Sequence, residues 1–552
     1  MIGVLVQPAE REVAEEFFEM CKTPWEFYHR DKRYEVLLCT SESHGTKGAQ
    51  LELIFSSTKT SFDSENGIDC RAAGVANNAL FGGRRLPVYG ALTTFPGSPV
   101  DIIREEKSRE ALIDARRKEG GTIVRIGYDL FDEALHLLTE GQPIENANVP
   151  TLELHIALLR ELITRAGIPF VEIPPIPSGY KFISCLTHDV DHPLLRNHRL
   201  DATMFGFLYR ATIGSILDAA RGRRSVRNLW DNIIAAARLP FVYLGMVKDP
   251  WAGFDGFLEI EKPRSSTFFL IPRPNYPGLG IGGAVREMRA CRYSLPELAP
   301  QLARIKASGG EVSLHGLDAW HDSKSGRTER EQILQETGSE GMGVRMHWLY
   351  FNAQSPIALD EAGFAYDSTV GFNNTVGYRA GTTQVYRPLG AVNLLELPLH
   401  IMDTALFYPS YLNLGYEEAR ERVWALIEDV VVFGGALTVN WHDRSIAPER
   451  QWSRFYVDFL AELTNRGAWF PTAAQAVDWF RKRRSAVLEL GQAEAGQMTI
   501  RVCLDAANSL PGLKIRIHPA RLRNPDQALA TDAESKFVDV DFNDSKELKI
   551  AI

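Results

Sequence analysis

Between residues 181 and 484, short apolar segments alternate with helical patterns, and most of these segments end in a polar residue. The segments are FISCLTHD, SSTFFLIP, GEVSLHG, VRMHW, LLELPLH and ALTVNWHD. In a parallel (β/α) barrel, the carboxyl ends of the strands lie on one face, and ligands bind there. The pattern therefore predicts a parallel α/β barrel whose His, Asp and Arg side chains gather at one mouth.

Two further units are predicted around the barrel. Residues 1–178 alternate strands and helices, which favours a layered α/β domain, and the Pro-rich IPFVEIPPIPSGY marks its end. We assign 179–484 to the barrel, with a helical insertion at 193–250. Residues 485–552 alternate apolar and polar residues between turn signals, which predicts a small antiparallel, sandwich-like β domain. No G-x-G-x-x-G spacing occurs in the first unit, so we assign it no ligand.

Charge and cysteine content narrow the function classes. The 552 residues include 61 Lys and Arg against 70 Asp and Glu, a net charge of −9. Nucleic-acid binding needs a basic surface, so we expect no nucleic-acid partner. The six cysteines form no C-x-x-C pair, which indicates free thiols in a reducing compartment. With no secretory signal and no uncharged apolar stretch of about 18 residues, we expect a cytoplasmic protein without a transmembrane segment.

The strongest candidate site is the pair Asp189 and Asp191 in LTHDVDH. Side chains two residues apart on a strand share one face. One carboxylate can therefore ligate a metal while the other stays free as a base. From spacing alone, a surface Asp pair that caps a loop is an equally good interpretation.

Four later segments carry further candidates. They are His315 and His321 in SLHGLDAWHD, Arg345 and Trp348 in GVRMHW, Asp367 in YDSTVGF, and His442 in ALTVNWHDR. Neutral imidazoles bind zinc and related divalent ions. Core packing or a salt bridge would explain any one of these residues taken alone.

The order of these segments resembles the five-motif order of the polysaccharide deacetylases (carbohydrate esterase family 4, the NodB-homology domain). The resemblance spans roughly 181–484, and SSTFFLIP is similar to the family's second strand. It implies a distorted (β/α) barrel with a divalent metal, preferably zinc, at the strand ends.

The resemblance also implies roles for the matching residues. Asp189 matches the family's general base, and Asp191 and His315 match metal ligands. Arg345 matches the arginine that orients the base, and His442 matches the general acid.

Three positions depart from the family pattern, and one of them is His347, which stands where the family usually has a Pro before the third-motif aromatic. One residue separates the two acids, a D-x-D form that resembles the divergent branch with some peptidoglycan deacetylases and allantoinase-like cyclic-amide hydrolases. The usual second histidine, four residues after the first, is Ala319 here. We therefore expect His321 to be the third ligand, with His192 in reserve. We expect Asp367 to pair with His442 and favour its protonated form.

Four aromatic residues are candidates for stacking on sugar rings: Trp320, Trp348, Tyr378 and Trp441. Trp348 also matches the groove wall of the family. In the insertion 193–250, basic residues outnumber acidic ones; its arginines are Arg196, Arg199, Arg210, Arg221, Arg223, Arg224, Arg227 and Arg238. A basic amphipathic helix pair can lie on an anionic membrane, which predicts peripheral membrane contact. A solvated lid over the groove explains the same pattern.

The function implied is metal-dependent removal of an N-acetyl group from an amino sugar, a glycan or a glycolipid precursor. One alternative is a cyclic-amide hydrolase of the same superfamily. Another is a carbohydrate-binding pseudoenzyme. Binding alone needs no base, orienting cation and acid together, so Asp189, Arg345 and His442 argue against the pseudoenzyme.

Overall fold

The computed structural model describes most of the chain. The described ranges are 1–40, 49–118, 120–220, 225–251, 253–282, 285–339, 341–450, 452–491, 497–504, 509–521, 527–529 and 536–551. Arg221, Arg223 and Arg224 of the insertion lie outside these ranges.

The N-terminal region is built from two sheets and four helices within these ranges. Its strands are β1 (Ile2–Leu5), β2 (Trp25–Phe27), β3 (Val36–Cys39), β4 (Leu51–Phe55), β5 (Arg71–Phe81), β6 (Arg84–Thr94), β7 (Ile103–Glu105), β8 (Ile113–Lys118) and β9 (Gly121–Ile126). Its helices are α1 (Arg11–Cys21), α2 (Ser61–Glu65), α3 (Leu130–Thr139) and α4 (Thr151–Arg165).

The larger of these sheets has the order β2-β1-β3-β4-β9-β8 and is parallel except for β8. Strands β5, β6 and β7 form a separate antiparallel sheet that the sequence analysis did not predict. Gly82 and Gly83 join β5 to β6 with φ of 57° and 78°. A two-residue hairpin turn needs positive φ at both positions, which glycine adopts without strain. The glycine pair therefore makes a hairpin.

The barrel region follows β10 (Phe170–Glu172). Its strands are β11 (Phe182–Val190), β12 (Thr267–Leu270), β13 (Glu311–Gly316), β14 (Gly343–Met346), β15 (Tyr366–Asp367), β16 (Leu395–Glu396), β17 (Ile401–Met402), β18 (Ala436–Asn440) and β19 (Ala468–Trp469). Its helices are α5 (Ala202–Tyr209), α6 (Ser215–Ala220), α7 (Val226–Ala237), α8 (Leu239–Tyr243), α9 (Phe254–Glu261), α10 (Ala299–Ala307), α11 (Ser323–Thr337), α12 (Ser355–Glu361), α13 (Asp403–Phe407), α14 (Tyr416–Phe433), α15 (Ser453–Asn465) and α16 (Ala473–Ser485).

All strand pairs of this region are parallel, in the order β16-β15-β14-β13-β12-β11-β18-β17, with β19 also paired to β11. Every residue of β11 is buried, as expected for a central parallel strand covered on both faces. Among the described residues, the end strands β16 and β17 are not paired with each other, so the barrel is open. The predicted distorted (β/α) barrel is confirmed.

The C-terminal strands are β20 (Val487–Leu490), β21 (Gln497–Cys503), β22 (Leu513–His518), β23 (Val538–Phe542) and β24 (Lys546–Ala551). They are antiparallel, as predicted, but they divide between two sheets. Strands β20, β21 and β24 form one, whereas β22 and β23 pair with β10. The tail thus extends a strand that precedes residue 178. The domain limits stay a prediction.

Buried polar contacts hold the N-terminal region against the barrel. Glu16 of α1 is fully buried and accepts hydrogen bonds from both terminal nitrogens of Arg484, at 2.7 and 2.9 Å. Glu153 of α4 accepts a hydrogen bond of 2.6 Å from Thr382 Oγ1. Removing one partner from a buried charged pair leaves an uncompensated charge, so these contacts keep the two regions together.

The insertion forms α5 to α8, and a π-helical turn, Arg210–Gly214, joins α5 to α6. No helix in the described ranges combines the length and the hydropathy that crossing a membrane requires.

Candidate active site

Three buried side chains converge where β11, β13 and β14 end. Asp191 directly follows β11, His315 lies in β13, and His347 directly follows β14. Oδ1 of Asp191 is 3.4 Å from Nε2 of His315 and 3.4 Å from Nε2 of His347. Their ligand atoms lie within 4.8 Å of one another. Two imidazole nitrogens and one carboxylate oxygen form a donor set found in catalytic zinc sites.

The local contacts of this triad fit a divalent ion. Asp191 Oδ1 is buried and, among the described residues, has no partner with hydrogen-bond geometry. Nδ1 of His315 lies 2.9 Å from the Arg345 carbonyl oxygen, which leaves Nε2 directed at Asp191. A hydrogen bond from the outer ring nitrogen to a carbonyl is the usual support for a metal-ligating histidine. A cation would also satisfy the buried carboxylate oxygen.

The charge states of the triad suit a cation as well. Burial raises the pKa of Asp191, but the nearby imidazoles of His347, His315 and His442 outweigh it and hold that pKa well below its usual range. Burial lowers the pKa of His347 to about 3. Asp191 is therefore a carboxylate and His347 a neutral imidazole at neutral pH, and these are the forms that bind metal.

The structure does not bring His321 or His192 into the triad. The side chain of His321 is 53% exposed, and its Nδ1 lies 3.1 Å from Oδ2 of Asp322, which caps the start of α11. The turn after β13 instead buries Trp320 and points His321 outwards. His192 is half-buried, and its backbone N–H donates to Asp443, but among the described residues no group of candidate metal ligands includes its ring.

His347 takes the place expected for His321. The sequence held a signal for it: His347 lies two residues after Arg345 at the end of an apolar strand, so both face the mouth. The family spacing pointed to the loop after His315 instead.

Asp189 is fixed by contacts to both of its oxygens. Nη1 of Arg345 donates to Oδ1 at 3.0 Å, and Nδ2 of Asn440 donates to Oδ2 at 2.7 Å. Arg345 is fully buried and also donates to Thr187 Oγ1 at 2.7 Å and to Ser368 Oγ at 2.9 Å. The guanidinium group therefore cannot swing away without losing several hydrogen bonds.

Asp189 stays ionised in this setting. Burial raises its pKa, but the charges of His315, Arg345 and His442 together lower it below its usual range. An ionised carboxylate beside the triad can accept a proton from water.

His442 pairs with Asp403, not with Asp367. Nδ1 of His442 lies 2.6 Å from Asp403 Oδ1, and its backbone N–H donates to Oδ2 at 2.8 Å. Burial lowers the pKa of His442, but Asp403, with Asp191 and Asp189 further off, raises it to about 10. His442 is therefore protonated at neutral pH. Its Nε2 lies 4.0 Å from Asp191 Oδ2, beside the triad.

Asp367 occupies a different buried pair. It lies in β15 opposite Glu396 of β16 and accepts a hydrogen bond from Thr369. Burial raises the pKa of Asp367 to about 6. The prediction that it partners His442 is not supported by this geometry, because Asp403 at the start of α13 already binds the imidazole.

Of the four aromatic candidates, Trp348 is half-buried beside the triad, with its ring centroid 5.8 Å from that of His347. The other three lie in the core. Trp441 is fully buried and stacks on Tyr456 at 4.9 Å, Trp320 donates to the Leu317 carbonyl, and Tyr378 is fully buried. Their burial leaves no ring face for a sugar.

Similarity between this chain and known proteins is limited. No protein-family model matches the chain, and no curated protein matches it. Among solved structures, it is similar to a Mycobacterium smegmatis protein described as a polysaccharide deacetylase (19% identity, TM-score 0.35, 58% of this chain and 99% of that one). A Pseudomonas aeruginosa protein of the same description has 15% identity and a TM-score of 0.35, and the match covers 58% of this chain and 98% of that one. An allantoinase has 16% identity and a TM-score of 0.32, and the match covers 55% of this chain and 92% of that one.

Two of these structures are described as polysaccharide deacetylases, the family that the order of the sequence motifs resembles. At such identities and TM-scores, the likeness carries no argument about activity, which must come from the site itself.

We predict that His347→Ala weakens zinc binding more than tenfold, because even loss of a residue that supports a ligand costs about 10–100-fold. His321→Ala is the matched control and should leave affinity unchanged, since its ring is exposed outside the triad. Zinc titration of the metal-free variants against a chelating indicator measures both. Loss of zinc in His321→Ala with retention in His347→Ala would contradict the assignment.

Proposed function

We propose that this protein is a metal-dependent hydrolase that removes the N-acetyl group from an amino sugar, a glycan or a glycolipid precursor. One observation carries the proposal: an ionised carboxylate, Asp189, lies beside an Asp–His–His cation site, with the protonated His442 facing that site. A base, a cation site and an acid are the three elements that hydrolysis of an unreactive amide requires.

Asp191, His315 and His347 would hold the divalent ion, for which zinc suits the donor set best. When bound, such an ion lowers the pKa of water and polarises an acyl oxygen.

The protein's own groups divide the proton transfers. Asp189 takes a proton from the attacking water as oxygen bonds to the acyl carbon. Arg345 keeps that carboxylate ionised and oriented. His442 then donates its proton to the amide nitrogen as the C–N bond breaks, which releases acetate and the free amine. Trp348, half-buried beside His347, is placed to contact the sugar.

Asp189→Asn should lower kcat by about 10²–10⁴-fold, the usual contribution of a general base, because the amide cannot accept the proton. Bound zinc should stay at the wild-type level, since Asp189 is not one of the three ligands. Acetate release from N-acetylhexosamine oligomers and metal analysis measure the two effects. A near-normal rate would contradict the base assignment.

The same assays separate the alternative functions. A zinc-loaded wild-type protein that hydrolyses cyclic amides but releases no acetate would favour the allantoinase-like reaction. Glycan binding with neither metal nor turnover would favour a pseudoenzyme.

Asp403→Asn should shift the loss of activity at high pH to lower pH. Asp403 raises the pKa of His442 above its usual value, so the acid stays protonated to higher pH than a free imidazole would, and activity falls once it loses its proton. Without the Asp403 charge, that pKa falls, and the imidazole loses its proton nearer neutrality. Profiles of kcat against pH test this. Asp367→Asn is the control; a shift in that variant alone would restore the pairing of Asp367 with His442.

We also infer that the insertion lies on an anionic membrane surface. Exposed apolar side chains recur at helical spacing on α5–α6 and on α7: Phe205, Tyr209, Ile213, Ile216 and Leu217 on the first, and Val226, Trp230 and Ile234 on the second. Exposed basic residues accompany them, namely Arg196, Arg199, Arg227, Arg238 and Lys248. Apolar stripes flanked by cationic side chains match a layer of anionic headgroups over acyl chains.

The wild-type protein should float with phosphatidylglycerol–phosphatidylcholine vesicles and much less with pure phosphatidylcholine. A triple variant with serine at Phe205, Tyr209 and Trp230 should stay at the bottom of the gradient. Serine at Val392, Val432 and Val457, equally exposed elsewhere on the barrel, is the matched control. Equal flotation of the two triple variants would remove the membrane surface.

A further inference from the structure

A cavity of about 530 Å³ lies between the insertion and the barrel. Thr203 of α5 and Arg210 of the π-helical turn line one side. Tyr408, Arg444 and Arg450 line the other. We call this cavity the arginine pocket, after Arg210, Arg444 and Arg450.

Among the described residues, the three guanidinium groups of the arginine pocket form no ion pair with a carboxylate. Within the described part of the chain, no Asp or Glu oxygen lies within 4.0 Å of any of them. The Nε atoms of Arg210 and Arg450 are buried without a hydrogen-bond partner there. Three guanidinium groups that line one cavity without a carboxylate ion pair in the described ranges point to an anionic ligand.

Two carboxylates also line the pocket but do not cancel its charge. They are Asp218 and Glu449, and Glu449 Oε1 already accepts a hydrogen bond of 2.8 Å from Trp251. Three cations against two anions leave a positive excess.

The pKa values of Arg210 and Tyr408 reflect this positive charge. Burial lowers the pKa of Arg210 to about 10, and the charges of Arg450 and Arg444 add to the effect. Burial raises the pKa of Tyr408, but Arg450, Arg444 and His442 outweigh it and bring that pKa to about 8. A positive potential favours the anionic form of any group that enters the pocket.

The arginine pocket adjoins the proposed acid. Arg444 lies two residues after His442 along the chain. Tyr408 follows α13 directly, and that helix begins with Asp403, which binds His442. A substrate whose amide reaches His442 would therefore place a neighbouring substituent in the pocket.

We propose that the arginine pocket binds a phosphate group of the substrate, so that the substrate is an N-acetylated amino sugar carrying a phosphate. This rests on the proposed hydrolase function. Guanidinium groups donate paired hydrogen bonds that match phosphate oxygens, and several arginines can share one phosphate. The phosphate belongs either to a free sugar phosphate or to a lipid phosphate. The apolar Phe205 and Tyr209, exposed on the helix that lines the pocket, make the lipid source the expected one.

Calorimetric titration of metal-free protein tests the proposal without turnover and without phosphate binding to a metal. The probes are N-acetylglucosamine, N-acetylglucosamine 1-phosphate and farnesyl phosphate. Wild-type protein should bind both phosphates at least tenfold more tightly than the neutral sugar, with farnesyl phosphate tighter if the source is a lipid. Arg210→Gln and Arg450→Gln should each weaken phosphate binding about tenfold or more, the value of a hydrogen bond to a charged group.

Arg454→Gln is the matched control. Arg454 lies at the start of α15, four residues after Arg450, with 84% of its side chain exposed, and it does not line the pocket. No preference of the wild-type protein for either phosphate would overturn the proposal. So would equal losses in Arg454→Gln and in the pocket variants. Phosphate binding with no acetate release from any substrate would overturn only the hydrolase function. Acetate release from neutral sugars with no phosphate binding would overturn only the arginine pocket.

Discussion

The site depends on keeping two carboxylates ionised two residues apart at the end of one buried strand. Burial and mutual repulsion both favour protonation of Asp189 and Asp191. The chain opposes this with different groups: the Arg345 guanidinium contacts Asp189, and the imidazoles of His315 and His347 lie beside Asp191. This division fits the proposed roles, in which the carboxylate beside the guanidinium takes the proton and the carboxylate among the imidazoles holds the metal. The open barrel serves this arrangement by aligning the ends of β11, β13 and β14.

Separate contacts position His442, the proposed acid. His442 follows β18, and Asp403, which raises its pKa, follows β17. The imidazole and its counter-ion therefore come from adjacent strands. The segment after His442 supplies Arg444 and Arg450 to the arginine pocket, whose other wall is the insertion. The segment from His442 to Arg450 thus links the proposed proton donor with the surface proposed to hold the rest of the substrate.

The sequence predicted six of the barrel strands, though not β15, β17 or β19. It also predicted the convergence of Asp189, Asp191, His315, Arg345 and His442, because strand-end chemistry is local and parallel strands share one edge. It did not predict His347 or Asp403. His347 was missed because the family's histidine spacing pointed to the loop after His315. Asp403 was missed because it lies in a five-residue helix, and only the pairing of β17 with β18 brings it next to His442. The burial of Trp320 and Trp441, and the pairing of β22 with β10, likewise depend on tertiary contacts that no local pattern contains.

His188 lies between Thr187 and Asp189 in β11, and its side chain points to the face opposite that of the two aspartates. Its ring packs on Phe257 and Phe268, and its two nitrogens contact the Trp441 carbonyl at 2.8 Å and Glu261 at 2.9 Å. A slip of one residue would send this imidazole to the mouth and bury two acids among phenyl rings. Such a slip is unfavourable on both faces of β11. The side chains of this strand therefore specify the register that places Asp189 and Asp191 at the mouth.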